Sequence, residues 1–224
     1  MTVARFTPVG DVRVDAALTA TEFARRERLV RTEDHAAYTA AHLLVRACAG
    51  ELLGVAPTTL SLEQHCPSCG GVDHGRPSLA GHEDVYVSLS HTRGYVAAIA
   101  SHAPCGIDVE LRAATIPSRA LTGRESGWVQ AQPDPPDAFT RLWVRKEALI
   151  KLGAPGPGRP GEIDVLTAPQ GVRLTAWSSQ GAHGCAAVKT GGTPAGDWPR
   201  HDLEGSAAWN GPRRPPATRS SCTR

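Results

Sequence analysis

The chain has 224 residues, with 24 Lys and Arg against 22 Asp and Glu, a formal net charge of +2. That length buries a sizeable core as one large domain or two small ones. The near-zero charge excludes a global electrostatic pull toward nucleic acid or a membrane surface, so any anion-binding site is local.

Met1 to Asp11 contain no apolar run of signal-peptide length, and the longest apolar stretch, Tyr95 to Ala100, is too short to span a bilayer. A soluble, cytoplasmic protein is expected. The six cysteines, Cys48, Cys66, Cys69, Cys105, Cys185 and Cys222, are scattered through a chain too large to need staples, and free thiols are expected.

Thr21 to Gly50 reads as helix, rich in good helix formers and closed by Gly50. Its charge run of Arg25, Arg26, Arg28, Arg31 and Arg46 with Glu22, Glu27 and Glu33 reads as a solvated face. His65 to Pro77 is a loop punctuated by glycine and proline. Val85 to Ser90 alternates as a half-buried strand, Thr92 to Gly94 turn, and Tyr95 to Ser101 return as its hairpin partner. Gly106 to Leu111 is a third strand. Thr122 with Glu125 makes a capping box, and Asp137 can cap a helix that stops at Gly153. Ile163 to Val165, Val172 to Trp177 and Cys185 to Lys189 read as strands. The order, helix then strands twice over, predicts an α+β fold of two similar halves, residues 1–103 and 104–190. Residues 191–224, rich in proline and arginine, read as a disordered tail.

Three pieces carry chemistry. In Gly106-Ile107-Asp108-Val109-Glu110, strand alternation projects Asp108 and Glu110 together. Adjacent carboxylates repel unless a cation or proton sits between them, and hard oxygen ligands favour Mg2+. In Trp143-Val144-Arg145-Lys146-Glu147-Ala148-Leu149-Ile150-Lys151, the residues Trp143, Glu147 and Lys151 share one helical stripe. Read alone, Glu147 and Lys151 are a surface ion pair; the indole on the same stripe argues for a partly buried setting. Ser90-His91-Thr92-Arg93-Gly94, with Gly75-Arg76-Pro77 upstream, puts His and Arg beside glycines, an arrangement that suits phosphate binding, although a lone histidine in a turn is more often structural.

Together these pieces resemble the 4'-phosphopantetheinyl transferase superfamily in its longer, surfactin-synthetase-activating class. Members look like Gly-x-Asp-x-Glu followed by Trp-x-x-Lys-Glu-Ala-x-x-Lys, and every fixed position is filled here. The resemblance covers about residues 15 to 190. It implies that Asp108, Glu110 and Glu147 hold Mg2+, that Glu147 is also the general base, and that Lys151 neutralises the transferring phosphate. It implies coenzyme A contacts from Arg76, Ser90, His91 and Lys146, with Lys151 shared. The resemblance puts His91 and Arg76 near the 3'-phosphate end of the coenzyme, with Arg25 or Arg26 as further basic residues there. The fold implied is two α+β halves related by a pseudo-twofold, with the coenzyme in the cleft between them. The reaction implied transfers 4'-phosphopantetheine from coenzyme A to a serine of an apo acyl or peptidyl carrier protein, performed by a monomer with no nucleic acid or membrane partner. A catalytically inactive relative that binds coenzyme A or the carrier is the alternative. Cys66-Pro67-Ser68-Cys69 with His65 and His74 offers a single Cys-x-x-Cys, too crowded for one tetrahedral zinc.

Overall fold

A computed structural model describes residues 1–65, 70–71, 75–153 and 160–191. Cys66, Cys69 and His74, and all of the expected tail beyond residue 191, lie outside the described residues. The strands are β1 (Thr2–Pro8), β2 (Leu62–His65), β3 (Arg76–Leu79), β4 (Tyr86–Thr92), β5 (Tyr95–Ser101), β6 (Cys105–Leu111), β7 (Val172–Ser179) and β8 (Ala182–Lys189). The helices are α1 (Ala20–Arg26), α2 (Thr32–Leu53), α3 (Gly123–Gln130) and α4 (Pro135–Leu152). None is long and apolar enough to cross a membrane.

Every residue of β5 is buried, so both of its faces need cover. Val96, Ala98 and Ala100 face Leu44, Val45 and Cys48 of α2. Tyr95, Ala97 and Ile99 face Ile107 and Val109 of β6 and Ala186 of β8. The antiparallel sheet β1-β5-β4-β3-β2 therefore lies on the sheet β6-β8-β7. On the far side of the second sheet, Leu142, Ala148 and Leu149 of α4 pack with Cys185 and Ala187. The result is four layers, helix, sheet, sheet, helix, an α+β architecture in which each half lays one long helix on one antiparallel sheet. Burial of a side chain the size of Ile99 or Ile107 is worth about 1.5–3 kcal/mol, so the apolar seam between the sheets binds the halves into one body.

Gly106 sets the spacing of β6 and α4. A Cβ at this position would lie 2.1 Å from the Ala148 carbonyl oxygen and 2.4 Å from the Leu152 nitrogen. The helix thus presses on the strand at the very turn that carries Lys151.

The single helix expected from residue 21 to 50 is two. The capping box of Thr19 and Glu22 opens α1, which ends after Arg26. The following stretch offers no apolar face, and Val30 is 98% exposed. Arg31 is extended and α2 starts beyond it, running past Gly50 to Leu53, where Gly54 adopts φ 70° and closes it. Gly50 serves packing instead: a Cβ there would lie 2.7 Å from the Val55 carbonyl oxygen. Strand β1, unread in the sequence, pairs with β5 along its whole length. The strand expected at 163–165 is absent, because the Val165 amide donates to Glu125 Oε1 and not to a neighbouring strand. Both later helices start on side-chain caps, Thr122 for α3 and Asp134, three residues earlier than expected, for α4. The described cysteines, Cys48, Cys105 and Cys185, are free, as expected, and all three are buried.

Candidate active site

On β6, Gly106, Asp108 and Glu110 share the face toward α4, while Ile107 and Val109 fill the seam between the sheets. Asp108 is 3% exposed. Its Oδ1 accepts a hydrogen bond from Ser90 Oγ of β4 at 2.7 Å and one from Lys151 Nζ of α4 at 2.7 Å. One residue before it, the Ile107 amide donates to Ser88 Oγ of β4 at 3.2 Å. Two serines of the N-terminal half thus hold the edge of β6 and orient its aspartate.

The other oxygen, Oδ2, is buried with no hydrogen-bond partner. An unsatisfied buried polar atom costs about 1–3 kcal/mol, and a charged one more. A fold that keeps such an oxygen is shaped for something that completes it, and a lone carboxylate oxygen is the donor that a hard divalent cation takes. Asp108 therefore fits the Mg2+ expected from the motif. Among the described residues no three His, Cys, Asp or Glu side chains come together as a metal-binding group. The three-carboxylate set expected from the sequence is not assembled: the cation facing Asp108 here is the Lys151 ammonium. Glu110 is half-buried two residues along the same face, and Glu147 is half-buried one helical turn before Lys151.

Arg76 enters from β3. Its guanidinium donates to the Lys151 carbonyl at 2.8 Å. It lies against Gly153, whose φ of 78° ends α4 and where a Cβ would meet Arg76 Nη2 at 2.6 Å. An exposed arginine on the carbonyl end of a helix also meets the negative end of its dipole.

Lys146 does not behave as the motif suggests. It is fully buried, and its ammonium donates to Glu125 Oε2 at 2.6 Å, to the Pro160 carbonyl at 2.8 Å and to the Ile163 carbonyl. All three of its protons are spent on the protein, which leaves none for a phosphate. The helical period explains this: Trp143, Glu147 and Lys151 share a half-buried stripe, and Lys146 points inward beside Leu142 and Leu149.

A second polar cluster lies under α1 and α2. Glu22, His42 and Arg46 are 3%, 4% and 1% exposed, so the solvated face expected of this charge run holds for Arg28, Arg31 and Glu33 but fails here. Glu22 accepts from His42 Nδ1 and from Arg46 Nη2, each at 2.7 Å. Arg46 also donates to the carbonyls of His42 and Leu60. Tyr38 stacks on His42 at 4.1 Å and meets His91 edge-on at 6.1 Å. Burial pushes the Tyr38 phenol up, against the pull of Arg25 beside it. His42 and Tyr38 went unread in the sequence, and the Thr19-x-x-Glu22 capping box was the available signal that Glu22 leaves the solvated charge run.

Burial alone would raise the Glu22 carboxyl, but hydrogen bonds from His42 and Arg46 overcome it and hold its pKa at about 2, below the ordinary 4.5. A depressed folded-state pKa stabilises the fold above the unfolded value, and that stability is lost as pH falls from 4.5 toward 2. Thermal melts across this window should show wild type losing stability more steeply than Glu22→Gln; parallel curves would refute the coupling.

Residues 104–192 match the family model of the 4'-phosphopantetheinyl transferase superfamily. The matched segment spans β6 to β8 and contains Asp108, Glu110, Glu147 and Lys151; Arg76, Ser90 and His91 lie upstream of it. No curated protein matches the chain. The superfamily match supports a transferase, with phosphopantetheinyl transfer as its general activity. Within that superfamily reading, the edge of β6 beside the end of α4, where Ser90, Asp108, Lys151 and Arg76 converge, is the candidate active site.

Proposed function

We propose that this chain is an Mg2+-dependent holo-carrier-protein synthase. It moves 4'-phosphopantetheine from coenzyme A to a serine hydroxyl of an apo acyl or peptidyl carrier protein and releases adenosine 3',5'-bisphosphate. The observation that carries this reading is the partnerless, buried Oδ2 of Asp108, inside the matched segment and one hydrogen bond from Lys151. Asp108 would hold the cation, with Glu110 and Glu147 as its further carboxylates. When bound, the metal neutralises the pyrophosphate of coenzyme A.

The protein groups divide the remaining work. Ser90 fixes the Asp108 carboxylate, so its free oxygen is presented in one direction. Lys151 is drawn to Asp108 now and is 31% exposed, so its ammonium can turn to the transferring phosphate and stabilise charge there. Glu147 takes the proton from the carrier serine, directly or through water. The serine oxygen forms the new P–O bond, and the bond from that phosphorus to the bridging oxygen of the pyrophosphate breaks. His91, edge-on to Tyr38, suits the 3'-phosphate end of the coenzyme, and Arg25 lies beside the same tyrosine. A monomer working in the cytoplasm completes the reading.

The test is intact-mass spectrometry of an apo carrier protein after incubation with the chain, coenzyme A and Mg2+. The expected result is a gain of one phosphopantetheine, lost with chelator and lost in Glu147→Gln while its circular dichroism stays unchanged. No gain across several carriers, or near-wild-type activity in Glu147→Gln, would overturn the reaction or the role of Glu147 respectively.

A further inference from the structure

The first turn of α4, far from Lys151 by about 21 Å of helix axis, contributes to a hydrogen-bonded chain that the transferase reading does not use. Asp137 Oδ1 lies 2.7 Å from His183 Nε2 of β8, and His183 Nδ1 lies 2.8 Å from Ser178 Oγ of β7. Asp137 Oδ2 is paired with Arg141 Nε at 2.8 Å. A carboxylate so held only accepts, so His183 Nε2 must carry the hydrogen of that bond. In the neutral ring Nδ1 is then bare, and Ser178 must be the donor to it. This is the tautomer a general base needs: carboxylate, imidazole and hydroxyl in series, recognised by geometry and role and not by chain order.

The hydroxyl has somewhere to work. Ser178 is exposed, whereas His183 is 4% exposed. Both line a pocket of about 240 Å3 with Trp128, Leu142, Arg141 and Arg145. The indole and leucine provide apolar walls for a short acyl chain. Arg141, paired with Asp137, and Arg145, which donates to the Val165 carbonyl at 3.2 Å, line the same pocket, and their remaining N–H groups are donors an oxyanion can take. The volume lies below the about 300–1,000 Å3 usual for ligand pockets, which suits a short acyl group.

We infer that Ser178 is an activated nucleophile, serving a second site that accepts the acyl group of small esters or thioesters. Ser178 Oγ attacks the acyl carbon and its proton passes to His183 Nδ1. The bond from the acyl carbon to the alcohol or thiol breaks, and that group leaves with the proton. Water then attacks the acyl-serine, losing its proton to Nδ1, and releases a carboxylic acid and free Ser178. The inference is independent of the transferase reading.

The test uses the full chain with a fluorophosphonate probe and with p-nitrophenyl acetate. His183 stands opposite Glu110 in the β6–β8 register, so chelator is present to keep metal chemistry out. Peptide mapping should find the probe on Ser178, and ester turnover should fall by about 100-fold or more in Ser178→Ala. Ser178 is exposed, so this variant should fold. His183→Gln should lose labelling while Ser178→Thr, which keeps a hydroxyl, retains part of it. No label on wild type, label on another residue, or equal turnover in Ser178→Ala would reduce the chain to a structural stitch between α4 and β7–β8.

Discussion

Lys146→Met lowers the stability of the folded chain by about 3–5 kcal/mol, the usual cost of removing one partner from a buried ion pair. The reason is what remains. Glu125 is fully buried, and its carboxylate would keep only the amides of Thr122, at 2.8 Å, and Val165, at 2.9 Å. The carbonyls of Pro160 and Ile163 would lose their donor as well. The melting temperature should fall on the order of 10 °C. Adding Glu125→Gln removes the stranded charge and should recover part of the loss, so the double variant should be more stable than the sum of its parts. Urea titration of the four proteins measures this. A loss below about 1 kcal/mol in Lys146→Met, together with weakened coenzyme A binding, would return Lys146 to the phosphate contact that the motif suggests.

Asp108→Asn should separate function from stability in the opposite way. The amide keeps an oxygen for the Ser90 hydroxyl but surrenders the charge that draws Lys151 and a metal. Lys151 is 31% exposed and can hydrate when released. A neutral amide is also cheaper to bury than a carboxylate with an unsatisfied oxygen. The stability should therefore stay within about 1 kcal/mol of wild type or rise. Phosphopantetheinyl transfer should fall by at least about 100-fold. Paired melts and mass-spectrometric transfer assays decide it: collapse of both quantities would make Asp108 structural, and retained transfer would remove it from the chemistry.

The sequence was most legible where a local rule and a long-range one agree. The Thr122–Glu125 capping box and the stop at Gly153 each have one local reading, and the structure keeps both; the strand expected over Val85 to Ser90 forms, but Ser88 and Ser90 are buried at 5% and 9% where alternation put them on an open face, because β6 covers them. The convergence of Ser90, Asp108 and Lys151 was legible only as a motif, because the three side chains meet across three elements. The fate of Lys146 was hidden for the same reason. Its neighbours Glu147 and Lys151 share the half-buried stripe of α4, and only the position of Glu125, brought over by α3, shows that Lys146 turns inward. Glu22 and Arg46 looked like members of a surface charge run, since a linear charge pattern cannot distinguish a solvated arginine from one that packs beneath a second helix. Strand β1 left little trace because it is an edge strand whose alternation is broken by Arg5 and Pro8.

The apolar seam has a consequence for how the molecule is partitioned. The matched segment begins at residue 104, just ahead of β6. Yet Ile107 and Val109 of β6 and Ala182 and Ala186 of β8 share their cluster with Tyr95, Ala97 and Ile99 of β5, which lie outside that segment. Cut at its border, the segment would turn a continuous oily strip toward water, and so would its complement. What is recognisable as a unit by descent is thus not a unit of folding: the two halves share one core, gain their stability together and lose it together.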